Sequence, residues 1–176
     1  MLKSSTLILA MTLLVASFAA AQDKGQRPSP PAKAQCKLSS GKTITVDYSS
    51  PRAKGRKIFG ELVPYGQVWR TGANEATTFV TTANLSAGGK DVPAGSYTIF
   101  TLPNADAWSL IINKHTGEWG VPYKYESEEL ARIPMTVEKT SAPVENMTIG
   151  FDQSGGCTLH VSWESTQASV KFTEKK

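Results

Sequence analysis

Cys157-Thr158-Leu159-His160-Val161-Ser162-Trp163-Glu164 alternates without a break. Cys157, Leu159, Val161 and Trp163 fall on one side of an extended chain, and Thr158, His160, Ser162 and Glu164 fall on the other. A period of two marks a strand with one buried face. Upstream, Met147, Ile149 and Phe151 alternate with Thr148 and Asp152, and the intervening Ser154-Gly155-Gly156 reads as a tight turn. Ile44, Val46 and Tyr48 oppose Thr43, Thr45 and Asp47 in the same way. Further strands are expected at 67–71, 77–83, 96–102, 107–113, 133–139 and 169–173, with turn clusters such as 87–89 and 103–106 between them. A single helical turn is expected at 126–130. About nine strands with short connections predict an all-β fold, a single-domain antiparallel β-sandwich over residues 43–174.

Two of these strands are apolar on both faces. Phe100 and Leu102 oppose Tyr97 and Ile99, and Ile111 opposes Leu110 and Ile112, so both sides need cover. The Gly-bracketed segment Ile58 to Gly66 is expected to fold over part of one face as a long covering loop.

The N-terminus has the layout of a cleavable secretory signal. Lys3 precedes an apolar run from Leu7 to Val15 and then Ala19-Ala20-Ala21, and cleavage is expected after Ala21. The run is shorter than the roughly 20 residues that span a bilayer, so no transmembrane anchor is expected after processing. Residues 22–42, with Pro28, Pro30 and Pro31 among Lys, Gln, Ser and Ala, read as a linker and lead-in. The net charge of the whole chain is +4, too small and dispersed for a nucleic-acid surface. Two cysteines in an exported chain favour a bridge between Cys36 and Cys157. The expected location is secreted or periplasmic.

One segment is not explained by strand and turn patterns. Ser50 to Thr78 reads SPRAKGRKIFGELVPYGQVWRTGANEATT, with four basic side chains in six residues (Arg52, Lys54, Arg56, Lys57) and then Trp69, Arg70, Asn74 and Glu75 crowded together. With PAGSYT at Pro93 to Thr98 and WSLIIN at Trp108 to Asn113, this segment resembles a family of secreted bacterial proteins described only as a domain of unknown function. The resemblance runs from about Ile44 to about Trp163 and implies an exported β-rich domain. It implies no reaction, cofactor or catalytic residue.

Hydrolytic and metal signatures are weak or absent. Ser96 in Ala-Gly-Ser-Tyr-Thr lacks the second glycine of a nucleophile elbow. His115 and Glu118 are three apart with no second histidine near them, and Gly117 favours a hairpin turn there. No cofactor is expected. Arg70, Asn74 and Glu75 form the best polar constellation: either Arg70 and Glu75 pair to lock the turn at 71–73 while Asn74 caps backbone, or Arg70 and Asn74 grip a carboxylate, phosphate or sugar hydroxyl. Trp69, Trp119 and Tyr123, with Tyr65 and Tyr125, are the aromatic candidates for stacking on a carbohydrate, or for stapling loops to the sheet. The sequence therefore favours a binding module for a glycan or small anionic ligand. The alternatives are an enzyme with Glu75 as acid or base and Arg70 as electrostatic stabiliser, and a structural protein of the cell envelope.

Overall fold

The computed structural model describes residues 27–176; the expected signal segment 1–21 and the start of the linker lie outside the described residues. Nine antiparallel strands form one open sheet in the order β1-β2-β3-β6-β7-β8-β9-β4-β5. They are β1 (Pro31–Lys37), β2 (Thr43–Ser49), β3 (Thr77–Thr81), β4 (Leu85–Ala87), β5 (Lys90–Val92), β6 (Gly95–Pro103), β7 (Trp108–Asn113), β8 (Glu129–Asp152) and β9 (Cys157–Glu174). A 3-10 turn at Glu126–Glu128 is where the helical turn was expected.

The sheet becomes a sandwich because its longest hairpin bends. β8 pairs with β7 from Glu129 to Met135 and with β9 from Thr136 to Asp152, and the β8–β9 register shifts twice, on either side of Val144. Bulges of this kind turn a strand and raise its twist. The distal part of β8 is thereby laid against the ends of β1 and β2. There Tyr48 Oη accepts the Ile149 N–H, Ser50 Oγ donates to the Met147 carbonyl, and the Ala53 N–H donates to the Glu145 carbonyl. The Cys36–Cys157 disulfide joins edge strand β1 to β9, with Cα atoms 6.0 Å apart. A link between residues 121 apart restricts the unfolded chain by about 4–5 kcal/mol in the entropy model.

Where strand positions differ from the expectation, the reason is local. Pro31 to Gln35, assigned to the linker, belong to β1: Ala34 and Cys36 face inward between exposed Lys33, Gln35 and Lys37, and alanines give too little hydrophobic contrast to mark a strand. β4 and β5, only three residues each, flank the Gly88-Gly89 turn. The runs at 133–139 and 147–152 are one bent strand, as are 157–164 and 169–173. Gln67 to Thr71 makes an isolated bridge, Trp69 to Thr101, rather than a strand.

Both faces of β6 and β7 are buried, by different means. Ile99, Leu110 and Ile112 join the main core, and Phe100 and Ile111 form a second cluster with Ala76, against which Val68, Leu102 and Tyr123 pack. The segment after Lys57 covers the main core: Ile58, Phe59 and Val63 are buried there, and the Phe59 ring meets Trp108, Trp69 and Trp163 edge-on with centroids 4.7, 5.9 and 6.3 Å away. The preceding basic cluster is mostly tied down. Arg52 Nη1 donates to the Ser50 carbonyl, Arg56 Nε to the Ala53 carbonyl and Arg56 Nη2 to the Arg52 carbonyl.

Candidate functional site

Successive residues at the bridge to Thr101 point to opposite faces of the sheet. Val68 packs in the outer cluster, Trp69 in the main core, and Arg70 returns to the outer side. Trp69 stacks on Trp163 with centroids 5.9 Å apart, and its Nε1 donates to the Gly72 carbonyl. Among the six candidate ligand residues, Trp69 is therefore the one committed to the interior.

The next residues are held in an uncommon backbone path. Thr71, β-branched and buried, has φ of +54°, and Asn74 has φ of +58°. A β-branched residue in this region costs on the order of 1–3 kcal/mol and persists only where its surroundings enforce it. Here Thr71 Oγ1 contacts Thr101 Oγ1 at 3.2 Å, Thr77 Oγ1 donates to the Thr71 carbonyl at 2.8 Å, and Asn74 Nδ2 donates to the Ser29 carbonyl at 3.0 Å. The Asn74 amide thus ties loop backbone.

Glu75 and Arg70 do not lock the turn as a bidentate pair. Arg27 Nη1 instead spans both Glu75 oxygens, at 2.8 and 2.7 Å. With the carboxylate side chain 46% exposed, that ion pair contributes about 0–1 kcal/mol. The Arg70 guanidinium lies over the Trp119 ring, 5.2 Å from its centroid, and Nη1 donates to the Trp119 carbonyl at 3.2 Å. Partial burial draws the Arg70 pKa down from its ordinary value while the charge of Glu75 raises it. A guanidinium remains charged through any such shift.

Trp119 belongs to the loop between β7 and β8, which the sequence marks only by its glycines and aromatics. Buried Asn113 clamps both ends of that loop: Oδ1 accepts the His115 N–H, and Nδ2 donates to the Tyr125 carbonyl and to Tyr123 Oη. Tyr123 Oη donates in turn to Glu129 Oε1 at 2.6 Å, and Arg132 holds Glu129 through Nε and Nη2. Burial, followed by the bond to Glu129, drives the Tyr123 pKa far above its ordinary value, while Arg132 holds Glu129 below the usual carboxylate range. The Tyr123 ring meets Phe100 edge-on at 4.8 Å, so it serves as the underside of the loop. Gly120, at φ of +80°, lets the loop touch down, because a Cβ there would lie 2.9 Å from Ala76 Cβ and 3.1 Å from Phe100. His115 stacks on Tyr125, and its Nδ1 lies 3.3 Å from Glu128 Oε1. Among the described residues, no group of three or more His, Cys, Asp or Glu side chains is positioned to hold a metal ion.

The result is one surface on the outer side of the sheet. Trp119 is 55% exposed with Arg70 behind it, and the Ala76 N–H donates to the Glu118 carbonyl, joining the loop to the residue just before β3. On the other side of Ala76 lies a cleft of about 180 Å³ lined by Arg27, Asp47, Tyr48, Ser49, Glu75 and Thr78. Arg70, Asn74, Glu75 and Trp119 are thus brought together, Tyr123 lies beneath them, and Trp69 is turned away. Sequence reasoning missed Arg27, Asn113 and Gly120. Of these only Asn113, a polar residue ending the apolar run Trp108 to Ile112, left a signal.

Residues 29–172 match the family described as "Protein of unknown function (DUF2911)". The chain belongs to that family. The matched region takes in β1 and the strands that follow it, as far as Phe172 in β9. No curated protein and no solved structure matches the chain. Among the described residues, no helix is long and apolar enough to cross a membrane.

Proposed function

We propose that this chain is an exported binding domain that receives a glycan or a small anionic ligand on the surface made by Trp119, Arg70 and the cleft at Glu75. The observation that carries this reading is the exposed Trp119 indole, held in a fixed orientation by Arg70 from behind and by the backbone bond at Glu118. An indole face that is fixed and open to solvent stacks on the apolar face of a sugar at small entropic cost. Arg70 retains donors for hydroxyl or carboxylate groups at the ring's edge. At about 180 Å³ the cleft is smaller than the roughly 300 Å³ of a site that encloses a whole small molecule, so it suits one substituent of a longer ligand. Asp47, Ser49 and Thr78 supply hydrogen-bonding groups there. Export is supported by the Cys36–Cys157 disulfide, a bond that persists in oxidising compartments, and by the N-terminal pattern from Lys3 to Ala21. Binding is favoured over acid–base catalysis at Glu75 because Arg27 engages both carboxylate oxygens.

Tryptophan fluorescence across a panel of glycans and small oligoanions tests the reading. For any ligand found, Trp119→Ala is expected to weaken binding at least about tenfold with little change in melting temperature. Equal affinity of Trp119→Ala and wild type overturns it.

A further inference from the structure

A second and larger groove lies at the opposite end of the hairpins. It measures about 970 Å³, against about 180 Å³ for the cleft at Glu75, and is lined by the β1–β2 turn, the β8–β9 turn and the last residues of β9. The disulfide fixes its walls relative to each other, since Lys37 follows Cys36 and Gly156 precedes Cys157. Binding to walls already joined covalently requires little ordering.

The side chains around it are predominantly basic. Lys37, Lys175 and Lys176 line the groove, and Lys171 reaches its edge. Its one acidic lining residue, Glu174, is engaged by Lys42 at 3.1 Å, and hydrogen bonds from Ser40 and Lys42 hold its carboxyl below the usual range. Lys175 is committed to Asp91 at 2.6 Å. Among the described residues, Lys37, Lys171 and Lys176 make no ion pair within 4 Å; the Asp152 carboxyl is held below its ordinary range chiefly by hydrogen bonds from Ser154, with Lys171 adding a weaker attraction. Gly156 at φ of +138° keeps Lys171 near the groove, because a Cβ at that position would lie 3.1 Å from Lys171 Cε. Ser39, Ser40 and Thr173 add hydroxyl groups to the lining.

We infer that this groove binds a ligand carrying several phosphate or sulfate groups, through Lys37, Lys171 and Lys176, independently of the Trp119 surface. Ammonium groups that flank a roomy groove, with no carboxylate of the described residues within 4 Å of Lys37 or Lys176, match spaced oxyanions better than a single small ion. The same chemistry is presented by a soluble polyphosphate and by an anionic lipid headgroup.

The test uses the processed domain with its disulfide intact. Inositol hexakisphosphate serves as the soluble probe, and vesicles of phosphatidylglycerol, compared with phosphatidylcholine, as the lipid probe. Amide shifts at 37–40 and 153–156, with none around Trp119, are expected on binding. Lys37→Gln combined with Lys176→Gln is expected to weaken binding about tenfold or more, while Lys33→Gln combined with Lys90→Gln, away from the groove, leaves it within about twofold. Response to the soluble probe alone identifies a free polyanion, and response to vesicles alone identifies a membrane surface. The inference is overturned if neither probe shifts those amides, or if the two double variants weaken binding equally, which would indicate diffuse attraction to net charge. Lys171→Gln provides an independent single variant should the double variant lose its fold.

Discussion

On one side of β6 and β7, Ile99, Leu110 and Ile112 are sealed by rings from distant parts of the chain: Phe59 against Trp108, Trp69 against Trp163. On the other side, Phe100 and Ile111 are covered by a loop that reaches the sheet with little more than Tyr123 and Gly120, and that is held by the polar chain Asn113, Tyr123, Glu129 and Arg132. Apolar packing is non-directional and pulls every ring it uses out of solvent. Hydrogen bonds fix a loop at chosen points and leave residues between those points exposed, as Trp119 and Val121 are. The inner side thus stabilises the fold, and the outer side presents a surface.

Phe59→Ala tests this comparison most severely. Removing a ring that touches Trp69, Trp108 and Trp163 is expected to cost about 3–5 kcal/mol in urea unfolding. A loss below about 1 kcal/mol would mean that the segment after Lys57 is not part of the core. It would also remove the contrast between the two sides.

Tyr123→Phe probes the outer side with a smaller effect. The variant keeps the ring on Phe100 but deprives Glu129 of a donor and Asn113 of an acceptor, and because Arg132 and the Tyr125 carbonyl remain to them, about 1 kcal/mol is expected. Hydrogen exchange should rise at residues 114–125 and stay unchanged in β6 and β7. Faster exchange in those strands would show that the loop and the sheet form one cooperative unit, against the division drawn here.

The inner side was far more legible in the sequence than the outer one. Alternation in Ile44 to Tyr48 and Cys157 to Trp163 marks strands because each inward side chain repeats the same message every second residue. The both-faced apolar runs correctly demanded two covers, and Ile58 to Gly66 was recognised as one of them. The second cover carries no period, since it depends on Tyr123, on the absence of a Cβ at Gly120 and on Asn113 reaching across twelve residues to Tyr125. The partner of Glu75 was equally hidden. Arg27 is 48 residues away in a stretch without pattern, and nothing local to Arg70 shows that its guanidinium lies over Trp119 while Arg27 spans the carboxylate. Strand β1 escaped notice because Ala32 and Ala34 are too small to contrast with their lysine and glutamine neighbours.

The smallest effect, and the one that most directly concerns how the loop is held, belongs to Glu118. Its Oε1 is shut off from solvent, and no donor reaches it among the described residues. Burial raises its pKa above the ordinary value of 4.5; His115 opposes the rise and Glu128 adds to it. A carboxyl whose folded-state pKa is raised contributes stability that is fully present below its unfolded value and is lost as pH rises through the raised one. Glu129, held low by Arg132, acts in the opposite direction, its contribution being lost as pH falls, so the wild-type curve contains both. The difference between wild type and Glu118→Gln isolates the first. Because glutamine stays neutral throughout, the variant is expected to melt higher than wild type near neutral pH, and the gap should close as pH falls below about 4.5. A gap that is the same at both ends of that range would mean that Glu118 does not ionise against the loop. The anchor of Trp119 would then be indifferent to the charge beneath it.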